Sequence, residues 1–135
     1  MTSDSSATGE IGDDEWLSQY GSFAQLIDGE PFKNRPTGGQ TELSFIRGKA
    51  SVDEAASSVN RRKTAGATAG DAVRYVLAGR LRAAGFRVWP TPTAFNPHHA
   101  SVATMDERAD WADDEVAAFK RCLEGAQFKW KEGKV

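Results

Sequence analysis

Two histidines stand side by side in Phe95-Asn-Pro-His-His-Ala-Ser-Val102, directly after an Asn-Pro turn signal, and the chain has no others. An imidazole changes charge near neutral pH, so His98 or His99 could act as a general acid or base. In extended chain, neighbouring side chains point to opposite faces, so only one of the two can meet a given substrate atom. A metal would need a further ligand, and no His-x-x-x-His or Cys-x-x-Cys spacing supplies one, so no metal site is expected. Arg47, in Phe45-Ile-Arg-Gly48, has the planar fork that holds a phosphate or carboxylate. His99 and Arg47 are therefore the candidate catalytic residues. His98, His99, Arg47, Arg61, Arg62 and Lys63 are the candidate binding residues.

Arg61 to Lys63, with Arg74, Arg80, Arg82 and Arg87, could form a phosphate-binding patch, but neither interleaved aromatics nor a recognition helix accompanies them. A solvated helix end is the simpler reading. Ala65-Gly-Ala-Thr-Ala-Gly70 lacks the Gly-Lys-Ser/Thr of a phosphate cradle, and no cofactor is expected. Cys122 flanks an apolar stripe and reads as a core residue rather than a nucleophile.

The elements that must position these groups follow from patterning. Residues 1–12 are small, polar and almost without apolar groups, and are expected to be a disordered tail before a single domain over 13–135. Trp16, Tyr20, Phe23 and Ile27 recur at helical spacing behind the acids Asp13 to Glu15, which predicts a helix ending at Gly29. Thr41 to Arg47 reads as a strand, and Ser51-Val-Asp-Glu54 is a capping box opening a helix. Val73, Val76, Leu77, Leu81 and Ala84 predict another helix, stopped by Gly85. Phe86 to Trp89 and Ala100 to Thr104 read as short strands on either side of the histidine turn. Ala112, Val116, Phe119 and Leu123 mark a last helix, and Phe128 to Lys131 an edge strand or loose tail. The expected fold is α+β: a short antiparallel sheet with three or four helices packed mainly on one face.

At 135 residues, with 39% hydrophobic and 27% charged side chains, the chain suits one ordinary globular core. Its apolar runs are too short to span a bilayer, and its acidic N-terminus has no apolar segment of secretory type. One cysteine permits no internal disulfide, which fits a reducing cytoplasm. Charge is divided: residues 1–32 carry net −7, residues 33–87 net +7 and the rest −2. The acidic head can screen the basic middle, or the middle can take an anionic partner.

Asn-Pro-His-His-Ala-Ser-Val resembles the N-P-x-H-A-x-[V/I] segment of assorted short, uncharacterised bacterial proteins. In those proteins an L-S-F/V-x-R strand (here Leu43, Ser44, Phe45, Arg47) precedes a helix beginning S-V-D-E-A-A, and a G-F/L-R-V strand leads into the turn. The resemblance spans Leu43 to Val102 and implies a shared fold module without an established activity. Asn96, Pro97, His99 and Ala100 are its common positions and His98 its variable one. The first functional expectation is a non-catalytic interaction or accessory module of a bacterial cytoplasmic multi-protein system with a protein partner. An exposed member of Trp16, Trp89, Trp111 or Trp130 would mark the partner's surface. The alternatives are a small enzyme on a phosphorylated or nucleotide substrate using His99 and Arg47, and, behind these, a nucleic-acid binder through the basic middle.

Overall fold

Residues 16–22 of the segment expected to be the first helix form a strand. A spacing of four, as between Trp16 and Tyr20, is a multiple of the strand period as well as close to one helical turn. The computed structural model describes residues 9–22, 33–36, 39–59, 67, 69–106 and 110–131. Its strands are β1 (Trp16–Ser22), β2 (Leu43–Arg47), β3 (Asp71–Leu77), β4 (Phe86–Pro90), β5 (His99–Thr104) and β6 (Phe128–Trp130). Its helices are α1 (Val52–Val59), α2 (Ala78–Ala83) and α3 (Asp113–Cys122). The strands form one antiparallel sheet in the order β4-β5-β2-β1-β3-β6.

This corrects the expected architecture. A six-stranded sheet dominates, and among the described residues three helices divide between its two faces. The second overturned helix is residues 71–77. Asp71 through Val76 are all buried, because β3 lies between β1 and β6 with packing on both sides. A run buried on both faces has no alternation to betray it as a strand. Only its end becomes helical, as α2. The start of α2 presses on the N-terminal turn: a Cβ at Gly79 would lie 2.8 Å from the Asp13 carbonyl oxygen, which already accepts from the Gly79 N–H. No larger residue fits there.

The main core lies on the α2 and α3 face. Phe119 of α3 meets the rings of Phe45, Phe86 and Trp111 edge-on at 6.4, 5.8 and 5.7 Å, and Leu17, Leu81, Val102 and Ile11 complete the cluster. On the other face, Val52 and Ala55 of α1 pack on Ile46, Val73 and Tyr75. The capping box of α1 forms as read: the Ser51 hydroxyl accepts from Glu54 N–H at 3.0 Å and the Glu54 carboxylate accepts from Ser51 N–H at 2.9 Å. The turn before it is pinned to β1, since Ser18 Oγ donates to the Gly48 carbonyl at 2.6 Å and accepts from Ala50 N–H at 2.8 Å.

Of the segment expected to be a disordered tail, residues 1–8 lie outside the described residues; Gly9 to Gly12 are described, Ile11 among them only 1% exposed. Arg47 holds them there. Its guanidinium donates to the Gly9 carbonyl at 2.6 Å, the Glu10 carbonyl at 3.2 Å and both Glu15 oxygens at 2.9 Å. Substituting Arg47→Ala should lower stability by about 2–3 kcal/mol, since Glu15 is partly hydrated and loses less than a fully buried partner would. Hydrogen exchange at residues 9–12 should rise with it. Phe119→Ala should cost about 3–5 kcal/mol in a urea titration, leaving a large cavity under three rings.

Candidate functional site

His99 opens β5 opposite Ile46 of β2, so both side chains share the α1 face. Arg47 is the next residue along β2. It pairs with Leu17 and points into the opposite face, where its side chain is 4% exposed and bound to Glu15. The expected catalytic pair of His99 and Arg47 is therefore not brought together, and Arg47 is spent on holding the N-terminal segment. His98 is exposed, its N–H donating to Asn96 Oδ1 at 3.1 Å. Arg61, Arg62 and Lys63 lie outside the described residues, as do Phe23 and Ile27.

The other arginines of the basic middle are engaged within the molecule. Arg74 is buried, with Nε donating to Gln19 at 2.8 Å. Arg82 pairs with Asp13 at 2.8 Å, and Arg87 donates to the Thr104 carbonyl and covers the Trp89 ring. Asp13 and Glu15 of the acidic head thus neutralise Arg82 and Arg47 of the middle.

A different set gathers around His99. Thr91 Oγ1 lies 2.6 Å from His99 Nδ1 and 2.8 Å from Ser101 Oγ, and Ser101 Oγ donates to Glu42 Oε1 at 2.5 Å. A carboxylate can only accept, so the Ser101 proton goes to Glu42. The Ser101 oxygen then accepts from the Thr91 hydroxyl, and the Thr91 oxygen accepts from His99 Nδ1–H. This chain of single protons puts the hydrogen of the neutral ring on Nδ1 and leaves Nε2 an acceptor. Among the described residues no hydrogen bond reaches Nε2. His99 and Ser101, two apart in extended chain, share a face; Glu42 just before β2 and Thr91 just after β4 join them from other parts of the sequence and left no local signal.

His99 borders a cleft of about 600 Å³. The cleft exists because β1 and β2 part company. Their ladder holds Leu17 to Arg47 and Ser18 to Ile46, while further along, Gln19 to Ser22 and Glu42 to Ser44 line the opening. Lys33, Asp71, Phe95 and Asn96 are among the other residues on its border. Among the described residues no three His, Cys, Asp or Glu side chains group to hold a metal ion, and no helix is long and apolar enough to cross a membrane.

At the far end of the sheet, β6 sets Phe128 and Trp130 in contact at 5.5 Å between centroids, 38% and 43% exposed. Comparison with protein-family models, curated proteins and solved structures finds no match to this chain.

Burial lowers the His99 pKa from its ordinary 6.5, with the Glu42 charge and the contact to Thr91 partly opposing. The unfolded chain therefore takes up a proton that the folded one resists, so this contribution to stability is intact above about pH 6.5 and is lost as pH falls towards the folded midpoint. His99→Gln should flatten that slope in urea titrations. Glu42→Gln should lower the His99 midpoint further, as read by NMR.

Proposed function

We propose that this chain is a non-catalytic interaction module of a bacterial cytoplasmic multi-protein system, and that it takes an extended, acidic segment of a partner protein along β6. The carrying observation is the exposed Phe128 and Trp130 pair on the last strand of the sheet, with lysines on the strand's other face. Phe128 and Trp130 pair with Arg74 and Ala72 of β3, while Lys129 pairs with Val73 and turns towards Tyr75. Lys131 continues that side beside Asp53 at 3.6 Å, and Lys49 sits over the Trp16 ring, 4.1 Å from its centroid. A strand added at this edge would place alternate residues over the aromatic pair and over the lysines. Alternating apolar and acidic residues match both faces.

The opposite edge is unsuited to the same use. In the β4–β5 register Val88 and Pro90 turn their backbone groups outward; the Val88 carbonyl accepts from Arg82 at 2.9 Å and Pro90 has no N–H. The separation of His99 from Arg47 counts against an enzyme built on that pair. The internal engagement of Arg47, Arg74, Arg82 and Arg87 counts against a nucleic-acid surface.

A short synthetic peptide alternating valine and glutamate should shift the backbone NMR resonances of residues 127–131, with affinity that falls as salt is added. Reversing charge with Lys129→Glu and Lys131→Glu should weaken it about tenfold. A peptide alternating valine and lysine that bound as well, or shifts lying elsewhere, would overturn the reading. A dimer in sedimentation that Trp130→Ala abolishes would replace the partner with a second copy of the chain.

A further inference from the structure

We propose, resting on strand addition at β6, that the recess between β6 and the start of α1 receives one acidic side chain of the added segment. That residue is the one opposite Lys129, and this single position carries the charge preference.

Backbone bonds fix which residues meet the newcomer. Tyr75 N–H donates to the Gln127 carbonyl at 3.0 Å and Lys131 N–H to the Asp71 carbonyl at 2.8 Å, so Gln127, Lys129 and Lys131 turn their backbone groups to β3. Phe128 and Trp130 turn theirs to the rim. A segment added antiparallel, as every pair in this sheet is, therefore forms its ladder bonds with Phe128 and Trp130. The residue between them, opposite Lys129, takes a non-hydrogen-bonded site, where Cα atoms approach to about 4.5 Å and side chains come closest. Its side chain shares the face of Lys129, which is the α1 face.

That face has room. A recess of about 430 Å³ is lined by Ser51, Val52 and Asp53 at the start of α1 and by Phe128 to Lys131. Its charges are Asp53, Lys129 and Lys131, which leave one positive charge in excess. Asp53 is already engaged: its Oδ1 accepts from Ala67 N–H at 2.7 Å and lies 3.6 Å from Lys131 Nζ. The neighbouring charges are taken up as well. Glu54 accepts from Ser51 N–H, and Lys49 Nζ lies over the Trp16 ring and donates to Gln127 Oε1 at 3.4 Å. Lys129 differs. Among the described residues no carboxylate pairs with it, and its ammonium lies 6.0 Å from the Tyr75 ring centroid. An anion set opposite Lys129 therefore neutralises the recess. A carboxylate opposite Lys131 instead meets Asp53, a like charge, and gains little.

The probe is a short peptide of alternating valine and threonine with one glutamate at its centre on the threonine face, beside a counterpart with glutamine there. Both should shift the backbone resonances of residues 127–131 in the full chain. Only the glutamate peptide should also shift the amides of Ser51 to Asp53, and it should bind about threefold tighter. Lys129→Gln should remove that difference between the peptides, whereas Lys131→Gln should keep it. Equal binding of the two peptides with shifts at residues 127–131 would overturn the recess assignment and leave strand addition standing. So would a glutamate preference that survives Lys129→Gln or disappears with Lys131→Gln. If neither peptide moves residues 127–131, strand addition itself fails and the recess assignment falls with it.

Discussion

Alternation along β2 decides what every neighbouring part of the molecule can do. Ile46 and Arg47 are consecutive, so the pleat sends one under α1 and the other towards α2 and α3. Ile46 brings His99 to its own side through the β5 register, while Arg47 gathers the carbonyls of Gly9 and Glu10 and the Glu15 carboxylate on the other. A charge this deep is tolerated because both terminal nitrogens of the guanidinium are met by these oxygens, Glu15 supplying the opposite charge. Slipping β2 by one residue would bury an isoleucine against the N-terminal turn and push the guanidinium beneath α1, so the register is strongly specified.

The same alternation explains what could be read in advance. Leu43 to Arg47, Phe86 to Trp89 and Ala100 to Thr104 announced themselves as strands through β-branched and aromatic residues between turn signals, and Ser51 to Glu54 announced a helix through its two reciprocal bonds. Residues 16–22 did not, because their large side chains sit four apart and serve either period. Residues 71–77 did not, because a central strand buried on both sides carries no polar face. Ile11 is one apolar residue in a polar stretch, and only the buried Arg47, thirty-six positions on, gives it a place.

Of the candidate site, His99 was legible by its chemistry. Its surroundings were not. Thr91, just past β4, meets the imidazole, and Glu42, just before β2, meets Ser101 beside it, while the opening next to them arises where the ladder between β1 and β2 stops. Both are products of tertiary geometry. The charge division along the chain likewise resolved into particular contacts, with Asp13 and Glu15 set against Arg82 and Arg47.

The two rims of the sheet are unequal, and that has a consequence for assembly. At β4, a proline and a carbonyl already taken by Arg82 leave little to template a neighbour, whereas β6 is short and aromatic. A strand added at β6 would therefore end the sheet's growth after one event, since the blunt rim alone is presented onward. Among the described residues, the two rims do not pair into the repeating head-to-tail contact from which a fibril grows.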